Sequence, residues 1–268
     1  MATSQNLVVS HPTCSSAASA AAEWDAAFPT AQLAHDFSTF YNEGRGHARF
    51  DLLPALWAAP TRRYGEKSDG DKSDGGKLLL ELSELRKNGP PCTIYSAGSN
   101  NNVGFEISML SATRCNIYTF DCTVADDVIA HTIAGIPGAA GRLHFFPYCL
   151  GSEGSTARFG DRSIALRSIS SIMLELGHAE VALLKMDIEG GEHGSLEPFL
   201  KGGTGLPRQI SLELHLPTGN HLPASPKNYL QTFNVVRALV KAGYVLFSRE
   251  DNPFCEHCTE LSWVRGCP

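Results

Sequence analysis

The chain has 268 residues, of which 43% are hydrophobic and 19% charged, and its formal net charge is −6 at pH 7. This composition is typical of a globular protein with ample apolar residues for a core. The negative charge and the scattered basic residues argue against a broad surface for nucleic acids, so we expect no general nucleic-acid partner. No stretch reaches the roughly 18 apolar residues that a membrane-spanning helix needs, so we predict no transmembrane segment.

The start of the chain gives little information about its compartment. Residues 1–24 lack both the basic region and the apolar region of an ordinary signal peptide. The sequence also contains no Asn-x-Ser/Thr glycosylation acceptor. We therefore expect a soluble chain, which is either cytoplasmic or a secretory-pathway domain that lacks its upstream anchor.

The cysteines fall into an apolar group and a C-terminal group. Three lie in or beside apolar runs and are expected to be buried free thiols, namely Cys115, Cys122 and Cys149. Cys255, Cys258 and Cys267 crowd the C-terminus, where they could form a zinc site together with His257. A disulfide or plain thiols are favoured there, because structural zinc sites usually come as two well-spaced pairs.

Three regions can be distinguished along the chain. Residues 1–60 contain alanine-rich and aromatic stretches that predict an N-terminal helical extension. Residues 61–90 combine a polar, glycine-rich loop with a lead-in helix. Residues 91–268 alternate strand and helix patterns, which indicates one α/β domain.

The α/β region has seven predicted strands. They are expected at 93–98, 116–121, 142–148, 181–187 and 208–216, followed by YVLFSRE and TELSWVR, with helices near 103–112, 124–134 and 168–176 and in NYLQTFNVVRALVKAG. Alternating strands and helices predict a parallel sheet covered on both faces, with ligands at the carboxyl ends of the strands. About ten residues separate the last two strands, too few for a helical crossover, so we predict an antiparallel hairpin at the sheet edge.

The first two strands end in residues suited to a nucleotide-like ligand. YSAGSNNNVG (95–104) places a glycine loop between a strand and a helix, where backbone N–H groups can meet a ligand, although a purely structural turn explains it as well. Its spacing is not GxGxxG, which disfavours a dinucleotide fold. Asp121 ends the second strand and can either accept hydrogen bonds from ribose hydroxyls or cap the next helix.

The fourth and fifth strands end in charged residues. LLKMDIEGGEHGSL (183–196) carries Lys185 and Asp187 at a strand end, and Glu213 and His215 share one face of the next strand. Both sets should converge at the carboxyl edge, where a histidine beside carboxylates suits general-base work. The same set could bind a divalent cation, with Asp187, Glu213 and His215 as a weak site, although the sequence does not require one.

More modest interpretations apply to the same residues. Lys185 could lie at a solvated strand end or pair with Glu213. Glu192 and His193 could simply occupy the first turn of the following helix, where an acid suits the helix dipole. For His193 we favour this interpretation, which makes it a surface residue without a role.

LLKMDIEGGEHGSL resembles the LLKiDiEGaE signature of FkbM-type methyltransferases. The resemblance extends to the branch of methyltransferase-like protein twenty-four, through DGGK (74–77), PPCTIYSAGSN (90–100), QISLELH (209–215) and CTELSWV (258–264). It covers about residues 62–265 and implies a Rossmann-like class I methyltransferase fold that binds S-adenosyl-L-methionine. It further implies methyl transfer, typically to a hydroxyl oxygen, so the expected acceptor is a small molecule or a glycan.

The resemblance also implies roles for individual residues. The expected cofactor-binding residues are Tyr95, Gly98, Ser99, Asn100, Asp121, Cys122, Cys149, Leu150 and Asp187. The expected catalytic residues are His215 as base with Lys185, Asp187, Glu189 and Glu213, and Glu192 and Lys77 would contact the acceptor. Two alternatives remain: a catalytically degenerate binding protein with the same fold, and a nicotinamide-dependent oxidoreductase, which the missing GxGxxG disfavours.

Overall fold

The computed structural model describes residues 60–65, 76–87, 92–159, 161–216, 226–252, 255 and 257–266. Nearly all of the predicted helical extension at 1–60 lies outside these residues, as does Cys267. The three-region division of the chain therefore stays a prediction. Within the described residues, no helix combines the length and the apolar character needed to cross a membrane.

The described residues form twelve strands and six helices. The strands are β1 Arg62–Tyr64, β2 Lys77–Leu79, β3 Thr93–Ala97, β4 Asn116–Phe120, β5 Leu143–Phe146, β6 Cys149–Leu150, β7 Thr156–Phe159, β8 Arg162–Arg167, β9 Leu183–Met186, β10 Gln209–His215, β11 Tyr244–Asp251 and β12 Cys258–Arg265. The helices are α1 Ser83–Lys87, α2 Gly104–Ala112, α3 Asp126–Ala134, α4 Ile169–Leu176, α5 Glu192–Gly202 and α6 Pro226–Lys241.

The main sheet has seven strands in the order β11-β12-β10-β9-β3-β4-β5. β10, β9, β3, β4 and β5 pair in parallel, whereas β12 pairs antiparallel with both β10 and β11. This arrangement confirms the predicted mostly parallel sheet and its antiparallel C-terminal hairpin. The carboxyl ends of the five parallel strands therefore share one edge.

The central strands are buried on both faces, because helices cover each side of a parallel sheet. Every residue of β3, β9 and β10 is buried. Successive residues point to opposite faces, so Leu183 joins a cluster with Phe105 and Met109 of α2, whereas Leu184 joins one with Phe199 of α5 and Val236 of α6. This two-sided burial accounts for the apolar runs that predicted the strands.

Two short hairpins were not predicted from the sequence. β1 and β2 pair antiparallel, and so do β7 and β8. The predicted helix near 168–176 is confirmed as α4, whose N-terminus is capped by the Ser168 hydroxyl accepting from the Ser171 N–H at 3.1 Å. Residues 164–167, directly before it, are strand rather than loop. β8 is largely exposed, so it lacks the apolar pattern that marks a buried strand.

The structure has three disulfides among the described residues, and two of them correct the expectation that Cys115, Cys122 and Cys149 are free thiols. They join Cys92 to Cys115, Cys122 to Cys149, and Cys255 to Cys258. The first pair lies next to Thr93 and Asn116, which are directly paired in the parallel β3–β4 ladder. Sequence neighbours alone could not show this, because the cysteines meet through strand pairing. The third disulfide agrees with the interpretation that was favoured over a zinc site.

Candidate functional site

The loop after β3 packs tightly against the end of β9. Gly98 has φ of +76°, and its N–H donates to the Phe120 carbonyl at 2.9 Å. The Asp187 N–H donates to the Ala97 carbonyl at 3.0 Å. A Cβ added at Gly98 would lie 1.6 Å from the Asp187 carbonyl oxygen, so this position requires glycine both for its backbone conformation and for the close contact. The predicted cofactor loop and the predicted reacting end are therefore in direct contact.

Replacing Gly98 by alanine is expected to lower the free energy of unfolding by at least about 2 kcal/mol, because backbone strain and overlap with Asp187 combine. Gly138 is a matched control, with φ of +78° and no atom within 4 Å of an added Cβ. Gly138→Ala should cost only the backbone strain, about 1 kcal/mol. Urea denaturation of both variants checks this. Equal losses would contradict the close contact at Gly98.

Asp121, predicted to bind ribose or to cap a helix, accepts hydrogen bonds from the loop after β3. Its Oδ2 accepts from the Ser99 N–H at 2.8 Å and from the Asn100 N–H at 2.6 Å, and its Oδ1 accepts from the Thr123 N–H at 2.8 Å. Burial opposes ionisation, but hydrogen bonds from Thr123, Asn100 and Ser99 lower the pKa of Asp121. The carboxylate thus fixes the conformation of the loop, at the tip of the second parallel strand where a ribose is expected.

The other residues predicted for the adenosine side are largely buried. Tyr95 is 1% exposed and shares a hydrogen bond with His178 Nδ1 at 2.7 Å. Cys149 is bonded to Cys122 and, like Leu150, is buried. Tyr148, directly before them, is partly exposed and carries the Arg167 guanidinium 4.2 Å from its ring centroid. Of Tyr95, Tyr148, Cys149 and Leu150, only Tyr148 therefore has a side chain that is partly exposed.

Lys185 has neither of the surroundings that the sequence suggested. It is 5% exposed, and its Nζ donates to the backbone carbonyls of Ala97 and Gly98. The side chain thus links β9 to the loop after β3. It also lowers the pKa of the adjacent Asp187 through its charge. In this position Lys185 supports the loop, and it forms no ion pair with Glu213 among the contacts described for it.

Lys77 is buried beneath the acidic cluster rather than placed at an open acceptor site. Its side chain is fully buried and its Nζ contacts Asp187 Oδ2 at 3.3 Å and also Glu260 Oε1. Burial opposes the charge of Lys77, but Glu260 and Asp187 outweigh burial and raise the Lys77 pKa. The β1–β2 hairpin supplies this lysine, because β2 begins at Lys77. The hairpin missing from the sequence prediction therefore belongs to the site.

Three glutamates lie side by side across the C-terminal strands. Glu260 of β12 is paired with Glu213 of β10 on one side and with Glu250 of β11 on the other. Like charges directly opposite each other destabilise a sheet. Lys77 contacts Glu260, and Arg63 contacts Glu250 Oε2 at 2.7 Å. The β1–β2 hairpin thus supplies a cation to two of the three glutamates.

The third glutamate, Glu213, has no ion pair with Lys77 or Arg63 among the described contacts, and its described ion-pair partner is His215 Nε2 at 3.9 Å. Burial and the charge of Asp187 raise the pKa of Glu213 to about 8, against the opposing charge of Lys77. Burial would also raise the pKa of Asp187, but Lys77, Lys185 and His215 lower it to about 2. At neutral pH the pair therefore consists of an ionised Asp187 and a protonated Glu213, since two close carboxylates do not ionise independently.

His215 lies among carboxylates, as predicted. Its Nδ1 is 3.2 Å from Glu192 Oε1, and its Nε2 is 3.5 Å from Glu189 Oε2 and 3.9 Å from Glu213 Oε2. Burial favours the neutral ring, but the hydrogen bond and charge of Glu192, with Glu213 and Asp187, raise the His215 pKa to about 9. Glu192 is fully buried, whereas the Glu189 side chain is 88% exposed. Glu192 therefore orients the ring from inside, and Nε2 faces the exposed Glu189 and the buried Glu213.

Two residues to which the sequence assigned no role contact the backbone of His215 or its neighbour Glu213. His193, expected to be a surface residue without a role, donates from Nε2 to the His215 carbonyl at 2.7 Å. This correction follows from the adjacency of β9 and β10, which places the start of α5 beside the end of β10. Asn252 donates from Nδ2 to Glu213 Oε1 at 2.8 Å. No local pattern marks Asn252, which reaches the site through the β11–β12 hairpin.

Among the described residues, three sets of side chains could supply metal ligands. They are Asp187 with Glu189 and His215, Asp187 with Glu213 and Glu260, and Glu213 with His215 and Cys258, with ligand atoms within 4.8 Å of one another in each set. The Lys77 ammonium already contacts Asp187 and Glu260, and the Cys258 sulfur is in a disulfide. Of these three sets, only that of Asp187, Glu189 and His215 contains an exposed side chain, which is Glu189.

The chain is similar to several solved structures that are described as methyltransferases. One is a Klebsiella pneumoniae protein described as an O-methyltransferase, at 13% identity and a TM-score of 0.41, covering 65% of this chain and 73% of that one. Another is a Clostridium thermocellum protein described as an rRNA methylase, at 12% identity and a TM-score of 0.40, covering 65% and 88%. Likenesses this distant carry no argument about the substrate. No curated protein matches the chain.

The family comparison is more extensive. A family model described as a methyltransferase domain matches residues 52–265, which include the whole seven-stranded sheet and the cluster around Asp187 and His215. The fold of this family implies S-adenosylmethionine as the cofactor. The chain therefore belongs to the methyltransferase domain family and is an S-adenosylmethionine-dependent methyltransferase.

Proposed function

We propose that the protein transfers a methyl group to a hydroxyl oxygen of a small molecule or glycan, as an FkbM-type enzyme. One observation carries the proposal. His215, with a pKa of about 9, and Asp187 lie at the carboxyl ends of adjacent parallel strands, and Asp187 directly contacts the loop at Gly98. A proton acceptor therefore lies beside the loop where we expect the cofactor.

The residues supply alignment and proton removal. The sulfonium of S-adenosylmethionine makes its methyl carbon electrophilic, so bound cofactor needs no further activation. Neutral His215 would accept at Nε2 the proton that the acceptor hydroxyl loses on receiving the methyl group. Glu192 stabilises the resulting imidazolium through its contact with Nδ1. Ionised Asp187 adds negative charge beside the ring and favours the same protonated product.

The disulfides favour one of the two expected compartments as the location of this reaction. Three disulfides occur among the described residues, and such bonds form and persist mainly in oxidising compartments. Of the two compartments expected from the sequence, we therefore propose the secretory pathway. Its glycans and secreted small molecules supply hydroxyl acceptors of the proposed class.

The degenerate binding domain remains a second candidate because of Asp121. Both carboxylate oxygens already accept hydrogen bonds from the chain itself, so a ribose would have to share or replace them. Loss of cofactor binding with retention of the fold would favour this candidate. Binding of a nicotinamide dinucleotide instead would favour an oxidoreductase.

Calorimetry followed by an acceptor screen tests the proposal. Wild-type protein should bind S-adenosylmethionine and S-adenosylhomocysteine but not NAD or NADP. Methyl-labelled S-adenosylmethionine is then offered with a panel of hydroxyl compounds and oligosaccharides, and matched amines and thiols serve as controls. Label transferred to hydroxyl acceptors is the expected result. Label found only in the amines or thiols, or no cofactor binding, would overturn it.

A further inference from the structure

The disulfide between Cys255 and Cys258 differs from the other two in what it joins. Its cysteines are 3 residues apart, in the turn that connects β11 to β12, whereas the other disulfides span 23 and 27 residues. A cross-link that closes so short a loop stabilises a fold less than one that closes a long loop. We therefore expect this pair to open before the other two and without unfolding of the domain. Cys255 is partly exposed, so a small thiol can reach it.

The same turn holds the end of β10. Cys258 is the register partner of His215, and the Leu216 N–H donates to the His257 carbonyl at 2.6 Å. The Cys258 sulfur lies 2.9 Å from Glu213 Oε1, the oxygen that also accepts from Asn252. The disulfide turn thus contacts Glu213 and positions the backbone beside His215.

We propose that Cys255–Cys258 is a reversible redox site, opened by small thiols and dithiols, that braces the end of β10 when oxidised. One thiolate attacks the Cys255 sulfur, the Cys255–Cys258 bond breaks, and the Cys258 sulfur leaves with the electron pair. A second thiol resolves the mixed disulfide. Overall, two thiols are oxidised to one disulfide, and their two hydrogens are transferred to Cys255 and Cys258.

Reduction changes the contacts around His215 in two ways. The turn loses its covalent closure, so the His257 carbonyl no longer holds Leu216 as firmly. The Cys258 sulfur also gains a hydrogen, which it can donate to Glu213 Oε1, whereas a disulfide sulfur has none to donate. The inference concerns the position of this strand end and does not depend on the proposed methyl acceptor.

Graded reduction of the intact chain tests the site. The protein is equilibrated with increasing dithiothreitol, alkylated and mapped by mass spectrometry. Cys255 and Cys258 should be labelled at concentrations that leave Cys92, Cys115, Cys122 and Cys149 protected. Labelling of Cys255 and Cys258 together with those four, or after them, would overturn the proposal.

Hydrogen exchange tests independently whether the Cys255–Cys258 disulfide holds the end of β10 in place. Amide exchange at Leu216 should rise several-fold once Cys255 and Cys258 are reduced, while exchange within β3 stays unchanged. Cys255→Ser should show the same rise without reductant and no further rise with it. Unchanged exchange at Leu216 in both the reduced protein and this variant would show that the disulfide does not support the strand end.

Discussion

Replacing Lys77 by methionine is expected to lower the free energy of unfolding by about 3–5 kcal/mol, because removing one partner of a buried ion pair leaves an uncompensated charge. Lys77 is fully buried and contacts both Asp187 and Glu260. Methionine fills most of the same volume, so the loss reports the charge rather than a cavity. Urea denaturation at pH 7 measures it.

The stability difference between wild type and Lys77→Met should depend on pH, and the lowered pKa of Asp187 sets the direction. The Asp187 pKa is lowered to about 2, with Lys77 as the largest favourable cause. A carboxyl group whose pKa is lowered by folding stabilises the fold fully when the pH is above its pKa in the unfolded state. This contribution is lost as the pH falls through its pKa in the folded state. The difference between wild type and Lys77→Met should therefore shrink as pH falls from about 4 towards 2.

A surface lysine provides the matched control. Lys201 pairs with Glu197 one turn away, and its side chain is 70% exposed. Lys201→Met should change stability by less than about 1 kcal/mol, as exposed ion pairs contribute little. If Lys77→Met were as mild as this control, the buried ion pair would not support the fold.

Replacing His215 by alanine should lower methyl transfer by about 10²–10⁴-fold, the usual contribution of a positioned base. Cofactor affinity should change little, because the loop at Gly98 is left intact. His131→Ala, in an exposed position of α3, is the control and should keep full activity. Steady-state rates on the acceptor found by the screen check this. Full turnover by His215→Ala would remove His215 as the base.

The pH profile gives a sharper test of the same role. The His215 pKa is raised to about 9, so the ring must lose a proton before it can accept one. The rate should therefore rise from pH 7 towards about 9. Glu192→Gln keeps the shape but removes the charge that raises this pKa, so the rise should move to lower pH. An unshifted profile would mean that Glu192 does not act on His215.

The raised pKa of His215 can also be detected in the stability of the protein, without a methyl acceptor. A raised histidine pKa stabilises the fold fully below the unfolded value, near 6.5, and the contribution is lost as pH rises through about 9. Wild type should therefore exceed Glu192→Gln in stability by more at pH 6 than at pH 10. The comparison separates the electrostatic role of Glu192 from any loss of packing.

Much of the fold was predictable because its signals are local. Apolar runs such as 181–187 follow from burial on both faces, and the ten-residue spacing before TELSWVR required an antiparallel hairpin. The short hairpins β1–β2 and β7–β8 lack such a signal, because their stability comes from neighbouring elements. β2, for example, is placed partly by the Leu80 N–H donating to Gln209 Oε1 at 3.0 Å.

The candidate site was predictable as a location but not as a set of contacts. Asp187 and His215 were expected to meet because parallel strands end at one edge, and the structure brings them together. Lys77 was expected at the acceptor. It is buried, and its partner Glu260 lies 183 residues away in the sequence. Asp121 is expected to bind ribose, and the sequence did not show that it also accepts hydrogen bonds from its own chain at Ser99, Asn100 and Thr123.

The sequence by itself determined the order of the seven main-sheet strands along the chain, and with it the edge at which the charged residues gather. Periodicity, glycines and connection lengths are properties of neighbouring residues, so they can be seen without the fold. Only the tertiary structure decided which cysteines bond, which carboxylate keeps its proton and which histidine nitrogen faces outward. Those outcomes depend on strand register and on burial, which change a pKa through groups distant in sequence.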